Sequence, residues 1–253
     1  MDDPFTVVAL GDVAWDVVCK IEHENLVWGS DVPGKTELLP GGSAANFSVW
    51  AARLGARSCL WGKVGNDWLG RRMLDHLREK GVECRITVVS EARTTKIGVF
   101  IRNDGERAFL MDKDVRIHFT PEDVSTDLLP GASLFFFTGY TLFTRDSLSF
   151  VKRVLQEVRS RQIPIAFDPA SFHLIQGYGP FRLMEEVGKV DFLLLNENEA
   201  QTLLLGKSPC ELLRWANVVI LKRGGEGATV FGLEKEISRS EERRVGKECR
   251  SRW

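Results

Sequence analysis

The stretch PGGSAANFSVWAARLG (residues 40–55) places a pair of glycines and three small residues at the start of a segment with helical spacing. Small and apolar side chains recur every three or four residues over 44–54, which predicts a helix there. Gly41 and Gly42 would let the backbone approach another group closely, and glycines that lead into a helix N-terminus are one way to build a polar binding site. The alternative is a turn followed by a small-residue helix that packs tightly on a sheet. The stretch alone leaves both interpretations open.

The rest of the chain alternates strand-like and helix-like segments. Near-continuous apolar runs predict strands at 5–13, 58–65, 132–139, 163–169, 190–196, 217–224 and 227–232. Helical spacing predicts helices at 67–81, 145–162 and 197–206, the first capped by Asp67 and ended by Gly81. Repeated strand–helix order with such apolar runs is typical of a mostly parallel sheet covered by helices on both faces. The sequence therefore predicts an α/β fold.

Residues 16–40 and 94–117 do not fit this alternation. Within the second segment, TTKIGVFIRNDGERAFLMDK (94–113) has two alternating runs joined by Asn103-Asp104-Gly105, which predicts a β-hairpin. No repeat or low-complexity linker sets these segments apart from the rest of the chain. We therefore expect a small β-layer, a lid, inserted in one domain. The alternative is a hairpin that belongs to the main sheet.

Polar residues and a glycine follow several of the predicted strands. Asp12 and Asp16 come after the first strand, Asp168 ends IAFD, Asn196 ends FLLLN, and Gly224 follows VVILKR. In parallel α/β sheets, ligands bind beyond the carboxyl ends of the strands. These positions are therefore the candidates for a ligand site.

The composition excludes several classes of protein. A formal net charge of −1 over 253 residues argues against a general nucleic-acid binder, which usually has a basic excess. The five cysteines are scattered and form no CxxC pair, so they indicate neither a zinc site nor a disulfide framework. The acidic N-terminus runs straight into a strand, unlike a signal peptide, and no apolar stretch approaches 18 residues. We expect a protein of the reducing cytoplasm without a membrane partner.

The motifs in order resemble the PfkB (ribokinase-like) family of carbohydrate kinases. The resemblance covers about residues 5–233. It rests on GDVAWD, on the full stretch of residues 40–82 that begins with PGGSAAN, and on FDPAS, NENE and LKRGGEGA. It implies a ribokinase-like three-layer α/β sandwich with a mostly parallel central sheet and a small β-lid. It also implies transfer of the γ-phosphoryl group of ATP, with Mg²⁺, to a hydroxyl of a sugar or sugar acid.

The resemblance assigns the acceptor site. In the family, the paired glycines and the asparagine at this helix start contact the sugar hydroxyls, which implies that Gly41, Gly42 and Asn46 hold the acceptor. Asp16 is implied as a further hydroxyl partner. A polyol needs several convergent donors and acceptors, which agrees with this set. The structural alternative for Asp16 is an aspartate that caps a turn.

On the nucleotide side, NENE resembles the N-x-x-E motif of the family. It implies that Asn196 and Glu199 act near Mg²⁺ and the phosphates, with Glu199 working through ordered water. Mg²⁺ prefers oxygen ligands and keeps much of its water, so a carboxylate at that distance is reasonable. The same spacing fits a helix cap with an acid three residues into the helix, and the residues alone favour that alternative.

The segment LKRGGEGA resembles the strand and turn that meet ATP phosphates or ribose in the family. Gly224 and Gly227 are the matched glycines. Lys222 either contacts a phosphate or caps its strand. Asp168 matches a position near the ligands, or it fixes the Asp-Pro turn that follows it. The role of Asp12 is left open.

One family motif is missing from the 253 residues. The second glycine-rich signature, roughly D-T-x-G-A-G-D, carries the aspartate that acts as general base and the amides that stabilise the transferring phosphoryl group. The last residues, 237–253, carry six Lys/Arg against three Glu and show no strand pattern. We therefore expect an incomplete kinase domain over 1–236 followed by a basic tail that is not native. A genuine basic tail is the alternative.

Three functions stay open at this point. The first is a sugar kinase by ancestry, and the chain as it stands is then expected to be inactive because its catalytic base is missing. The second is a non-catalytic fragment that keeps only the sugar pocket. The third is a nucleoside kinase of the adenosine type, although nothing near Asp16 marks a purine pocket. The lids of this family often pair, so a homodimer through the lid is also expected.

Overall fold

A computed structural model describes residues 4–22, 26–206, 208–232 and 236–239 of the protein. The chain divides into two compact units, residues 1–165 and 166–253. The first unit contains eight strands and three α-helices among its described residues. They are β1 (Thr6–Leu10), β2 (Ala14–Ile21), β3 (Gly34–Gly41), α1 (Ser43–Arg53), β4 (Arg57–Gly65), α2 (Trp68–Glu79), β5 (Val82–Val89), β6 (Thr95–Ile101), β7 (Arg107–Asp112), β8 (Leu134–Thr138) and α3 (Arg145–Ser160).

The main sheet of the first unit is parallel, with strand order β8-β1-β4-β5. Strands β1, β4 and β8 are built from near-continuous apolar runs, and side chains such as Leu10, Leu60, Phe135 and Phe137 are fully buried. Runs of this kind are expected where helices cover a parallel sheet. The predicted strands at 5–13, 58–65 and 132–139 are thus confirmed: β1 and β8 are shorter than predicted, and β4 begins one residue earlier.

The two segments outside the strand–helix alternation form a second, four-stranded sheet with strand order β3-β2-β6-β7. Strands β2 and β6 are parallel, and the two outer pairs are antiparallel. The predicted hairpin is confirmed as β6 and β7. Its turn is closed by the Arg102 amide, which donates to the Glu106 carbonyl at 3.0 Å, and Gly105 supplies a φ of +88°.

A single carboxylate fixes the start of β6, where the chain passes from β5 of the main sheet into the second sheet. Asp67 caps α2 by accepting the Gly70 amide at 2.8 Å, as the sequence predicts, and it also accepts the Thr94 amide at 2.8 Å and the Thr94 hydroxyl at 2.7 Å. Burial alone would raise the pKa of Asp67, but these hydrogen bonds outweigh burial and lower it. The root of the second sheet is therefore held by hydrogen bonds to a charged group, which are the stronger kind.

The second unit is also mostly built from parallel strands and helices. Its described elements are β9 (Ile165–Asp168), α4 (Phe172–Tyr178), α5 (Pro180–Val187), β10 (Val190–Asn196), α6 (Glu197–Leu204), β11 (Ala216–Lys222), β12 (Ala228–Gly232) and β13 (Glu236–Arg239). Strands β9, β10 and β11 are parallel, and β12 and β13 continue the order as antiparallel strands.

Three parts of the fold differ from the sequence predictions. Strand β5 was not predicted, since its alternating polar side chains belong to a sheet edge. Helices α4 and α5 were also missed, because each has fewer than nine residues and Gly179 interrupts the pattern between them. Residues 237–239 were predicted to have no strand pattern, whereas they belong to β13. Their strand is set by backbone pairing with β12 rather than by an apolar pattern, and residues 240–253 lie outside the described residues.

Candidate functional site

The glycine pair joins the second sheet to helix α1. Gly42 is the N-cap residue of α1 and has φ +94°, a conformation that favours glycine. A Cβ at this position would lie 2.5 Å from the Asp12 carbonyl oxygen and 3.0 Å from the Ala14 amide nitrogen. The close approach that the sequence suggested for this pair is therefore real, and it is an approach to the backbone that follows β1.

Asp12 holds the start of α1 in place. One carboxylate oxygen accepts the Ser43 amide at 2.6 Å, and the other accepts the Thr138 hydroxyl at 3.0 Å. The Asp12 carbonyl also accepts the Ala45 amide at 3.3 Å. Asp12, whose role the sequence left open, thus links the carboxyl ends of β1 and β8 to the helix N-terminus, where a negative charge is stabilising.

Asp16 lies directly against Gly41. A Cβ on Gly41 would overlap the Asp16 carboxylate, so the missing side chain is what leaves room for that carboxylate. Among the described residues, no hydrogen bond or ion pair to the Asp16 side chain is found. Burial raises the pKa of Asp16 to about 6, and the charge of Asp12 adds to this effect. A turn-capping aspartate would instead accept a backbone amide.

Asn46 lies one turn into α1. Its backbone amide donates to the Gly42 carbonyl at 2.9 Å, and its side chain is half-buried. Within the described part of the chain, the Asn46 side-chain amide has no hydrogen-bond partner. It therefore offers two donors and one acceptor oxygen beside the glycine pair.

A small cavity next to these residues is lined from β1, β4 and the segment after β7. The lining residues are Gly11, Asp12, Val13, Lys63, Thr95, Lys113, Ile117, Phe119 and Thr141. Lys63 is buried and already paired, because its ammonium group donates to Asp123 at 2.6 Å and to the His118 carbonyl at 3.1 Å. Lys113 has no such contact among the residues that the structure describes.

Sequence analysis did not identify Thr138, Lys63 or Lys113. Thr138 ends a parallel strand, so the rule that singled out Asp12 also applied to it. Lys63 is the only charged side chain within β4 after its first residue, which is a signal of a buried polar contact. Lys113 lies in a charged segment after a hairpin, and nothing in the local sequence separates it from a solvated lysine.

In the second unit, Asp168 and Lys222 form an ion pair. The Lys222 ammonium lies 2.9 Å from one Asp168 oxygen, and the other oxygen accepts the Ala170 amide at 3.0 Å. Burial alone would lower the pKa of Lys222, but the Asp168 carboxylate outweighs burial and raises it. Asp168 therefore fixes its turn and holds a lysine at the same time.

Asn196 and Glu199 form a complete capping box at the start of α6. The Asn196 side-chain oxygen accepts the Glu199 amide at 3.0 Å, and Glu199 accepts the Asn196 amide and side-chain NH₂, both at 2.7 Å. Glu199 is buried. Burial, with the nearby Asp168 carboxylate, raises the pKa of Glu199 to about 7. The helix-cap geometry that the spacing allowed is thus present.

The turn after β11 carries the two matched glycines. Gly224 and Gly227 have φ values of +55° and +88°, and the Arg223 amide donates to the Gly227 carbonyl at 2.8 Å. A Cβ on Gly224 would meet nothing within 4 Å. The turn has open space at Gly224, while the amides of Arg223, Glu226 and Gly227 already donate hydrogen bonds within the turn.

The donors of the second unit suit Mg²⁺ and phosphates. Asp168, Asn196 and Glu199 offer oxygen atoms, and Lys222 offers an ammonium group. Across the described ranges, no group of three or more His, Cys, Asp or Glu side chains is placed to hold a metal ion. An Mg²⁺ that takes most of its ligands from phosphates and water needs only one or two carboxylates, so the set fits.

Comparisons with known proteins agree on one family. The sequence model described as "pfkB family carbohydrate kinase" matches residues 6–245. A fructokinase from Solanum tuberosum is 27% identical over 166 residues, which are 64% of this chain and 51% of that protein. The chain spans about half the length of the curated relatives it matches.

Two crystal structures show the same fold. Adenosine kinase from Sinorhizobium meliloti superposes with a TM-score of 0.81 at 20% identity, covering 94% of this chain and 80% of that one. An E. coli protein in complex with ATP and Mg²⁺ superposes with a TM-score of 0.77 at 21% identity, covering 93% and 78%. The predicted ribokinase-like α/β fold is confirmed. None of the described helices is both long and apolar enough to cross a membrane.

Proposed function

Because the chain belongs to the pfkB family of carbohydrate kinases, we propose that it carries the acceptor site and the nucleotide-side residues of an ATP-dependent sugar kinase. One observation carries the proposal. Asp16 and Asn46 present polar side chains without partners among the described residues, beside a glycine pair whose backbone is closely packed. These half-buried groups have hydrogen-bonding capacity that no described residue uses, which leaves them open to a polar ligand.

The acceptor hydroxyls would be held by three kinds of group. The Asp16 carboxylate accepts two hydroxyl hydrogen bonds, the Asn46 amide both donates and accepts, and Gly41 leaves the room that the Asp16 carboxylate occupies. Asp12 acts as a positioning residue, since its carboxylate is already occupied by Ser43 and Thr138. The four-stranded second sheet would act as the lid that excludes water, which competes with the sugar for the phosphoryl group.

On the nucleotide side, Lys222, Gly224 and Gly227 would contact ATP, and Asn196 and Glu199 would hold Mg²⁺ through its water shell. The family and the E. coli complex with ATP and Mg²⁺ support this part. Bound Mg²⁺ neutralises phosphate charge and orients the transferred group. A phosphate that contacts Lys222 would compete with Asp168, while Glu199 would keep its place by its two hydrogen bonds to Asn196.

Turnover needs a base as well as these contacts. No D-T-x-G-A-G-D stretch occurs in the 253 residues. In the proposed acceptor site, Asp16 already binds hydroxyls, so no acid is left there to act as the base. We therefore expect a polypeptide of these residues to bind its ligands without transferring phosphate. The alternative of a non-catalytic fragment has the same pocket and is consistent with this expectation.

A nucleoside acceptor is disfavoured by the cavity beside Asp12. A purine is held well by stacking on a free aromatic ring. Phe119, the one aromatic lining residue among those described, stacks on Phe150 with a centroid distance of 4.6 Å, and the Lys63 ammonium lies 5.7 Å from its ring centroid. No ring in the described lining is left for a base.

A homodimer through the lid is supported by the surface of the second sheet. Leu38, Phe109, Leu110 and Met111 are exposed apolar side chains on the outer strands β3 and β7. The first lies on one edge strand of the second sheet and the other three on the opposite edge strand, and exposed apolar side chains on edge strands are a liability unless another surface covers them. Sedimentation at increasing concentration should show a dimer that Phe109→Asp disrupts, whereas a monomer at all concentrations would contradict the proposal.

Calorimetric titration of the 253-residue chain tests the function. The panel is D-fructose, D-ribose, D-glucose, D-gluconate, D-glucuronate, 2-keto-D-gluconate, adenosine, and ATP with and without Mg²⁺. We expect at least one carbohydrate and ATP to bind, Asp16→Ala to remove only the carbohydrate signal, and no carbohydrate-dependent ADP release. Binding of adenosine alone would establish the nucleoside alternative. Carbohydrate-dependent ADP release that Asp16→Ala abolishes would contradict the expected inactivity. It would mean that a residue of this chain replaces the aspartate of the missing motif as base.

A further inference from the structure

Lys113 is a charged residue that the proposed function has not used. It follows β7 directly and its half-buried side chain lines the cavity that Asp12 and Thr95 also line. The adjacent Phe119 ring packs against Trp61 and Phe150 in the core, with Phe119 and Phe150 stacked 4.6 Å apart. The segment that carries Lys113 is therefore anchored, and the lysine is held at the cavity rather than on a loose loop.

The acids nearest to Lys113 in sequence are occupied by other cations. Asp112 pairs with Arg93 at 3.2 Å and with Lys96 at 3.0 Å. Asp114 pairs with Arg116 at 2.8 Å and accepts the Arg93 amide at 3.1 Å. In the part of the chain that the structure describes, no carboxylate lies within ion-pair distance of the Lys113 ammonium.

Of the positive charges around the cavity, the one on Lys113 has no carboxylate in contact with it among the described residues. Lys63 is neutralised by Asp123. Burial lowers the pKa of His118, and the charges of Lys113 and Lys63 lower it further, which favours the neutral imidazole. Burial also lowers the pKa of Lys113, which the charge of Asp12 opposes without contact. Asp12 itself is hydrogen-bonded to Ser43 and Thr138.

We propose that Lys113 makes the acceptor pocket selective for a sugar acid, with its ammonium group donating to the carboxylate while Asp16 and Asn46 hold the hydroxyls. This inference rests on the proposed function and narrows its acceptor class. A half-buried ammonium without an anion is costly, and a carboxylate in reach forms a charge-assisted hydrogen bond. A neutral hydroxyl accepts a hydrogen bond but leaves the charge in place.

A carboxylate fits this site better than a phosphate group. A carboxylate carries one negative charge, which one ammonium group balances. A sugar phosphate carries up to two, and the second charge would lie near Asp12 with no further free cation among the described lining residues. The rival explanation is that Lys113 only offsets the charge of Asp12 at a distance and never contacts the acceptor.

Matched ligand pairs separate these explanations by calorimetry on the 253-residue chain at low ionic strength. D-Glucuronate and D-glucose, D-gluconate and D-glucitol, and 2-keto-D-gluconate and D-fructose each differ by a carboxylate in place of a CH₂OH group. In at least one pair, the acid should bind about tenfold or more tightly than its neutral partner, the size expected for a hydrogen bond to a charged group. D-Glucose 6-phosphate should bind more weakly than D-glucuronate.

Variants then assign the preference to Lys113. In Lys113→Met the ratio of the two Kd values should fall to about one, and Lys113→Arg, which keeps the charge, should retain part of it. The control is Lys20→Met, which removes an equal charge from an exposed position in β2 and should leave the ratio unchanged. A ratio that Lys113→Met does not change would overturn the inference, as would a stronger affinity for the phosphate.

The wild-type titrations keep the two proposals distinguishable. If neutral sugars bind as tightly as acids and Asp16→Ala removes that binding, the inference about Lys113 is wrong and the proposed function stands. If no member of any pair binds, the proposed acceptor site is wrong and the inference falls with it.

Discussion

The polar residues of the two units differ in how far they satisfy one another. In the first unit, Asp16, Asn46 and Lys113 have no hydrogen-bond or ion-pair partner among the described residues. In the second unit, Asn196 and Glu199 are joined by three hydrogen bonds of 2.7–3.0 Å. Asp168 and Lys222 likewise pair at 2.9 Å. These polar side chains of the first unit are therefore available for hydrogen bonds with a ligand, whereas those of the second unit are already bonded to one another.

The difference indicates how each region would meet a ligand. Open polar groups cost stability in the free protein and gain hydrogen bonds when a ligand arrives, so they are expected where recognition is specific. A cluster whose polar groups bond to one another is stable without a ligand. A ligand that binds there must replace one of the existing hydrogen bonds. Substitutions should therefore affect mainly binding in the first unit and mainly stability in the second.

The largest expected effect concerns the backbone of the glycine pair. Gly42→Ala should lower the free energy of unfolding by about 2–5 kcal/mol, because the new Cβ combines a strained φ with a contact 2.5 Å from a carbonyl oxygen. Gly224→Ala is the matched control, since its φ is also positive and its surroundings are open. It should cost only about 1 kcal/mol in urea unfolding. Equal losses would mean that close packing does not define the first region.

Two asparagines at helix starts give the sharpest contrast. Asn46→Ala should weaken carbohydrate binding about tenfold through lost hydrogen bonds, and should change stability by less than about 0.5 kcal/mol because its side chain has no partner to lose. Asn196→Ala removes a helix cap, so it should cost about 1 kcal/mol of stability and leave carbohydrate affinity unchanged. Calorimetry measures the affinity and urea unfolding measures the stability. A loss of stability in Asn46→Ala together with a loss of carbohydrate affinity in Asn196→Ala would contradict the comparison.

Glu199→Gln should have a smaller effect on two measurements. The affinity for ATP should fall a few-fold when Mg²⁺ is present and stay unchanged when it is absent, if Glu199 orients the water of the metal. An unaltered Mg²⁺ dependence with lowered thermal stability alone would leave Glu199 as a helix cap only.

The pH dependence of stability tests the burial of Glu199 separately. Its pKa is raised to about 7 in the folded protein from 4.5, so the folded state binds the proton more tightly. The stabilisation is complete below about pH 4.5 and is lost as the pH rises through 7. Between pH 5 and pH 8 the wild type should therefore lose more stability than Glu199→Gln, and parallel pH profiles would contradict this.

The sequence allowed most of the architecture to be predicted, because apolar runs, Asp67 and the Asn-Asp-Gly turn are local signals. Strand β5 and helices α4 and α5 carry weak local signals, and β13 depends on its pairing partner. In the site, Asp16 and Asn46 were predicted from the resemblance to the family, and only the fold brings Asp16 against Gly41; their roles stay predictions. Lys113 could not be found, since its lack of a partner is a property of tertiary packing and its two immediate neighbours in sequence, Asp112 and Asp114, are both charged.

Thermal unfolding of Asp16→Asn, with and without the tightest-binding carbohydrate of the panel, tests the central claim most directly. Because the pKa of Asp16 is raised to about 6, its contribution to stability is present below about pH 4 and is lost as the pH rises through 6. At pH 7.5 the free variant should therefore unfold at a higher Tm than the wild type. The carbohydrate should raise the Tm of the wild type and leave that of the variant unchanged. A lower Tm for the free variant, together with an undiminished shift on adding carbohydrate, would show that Asp16 is a structural aspartate and not an acceptor ligand.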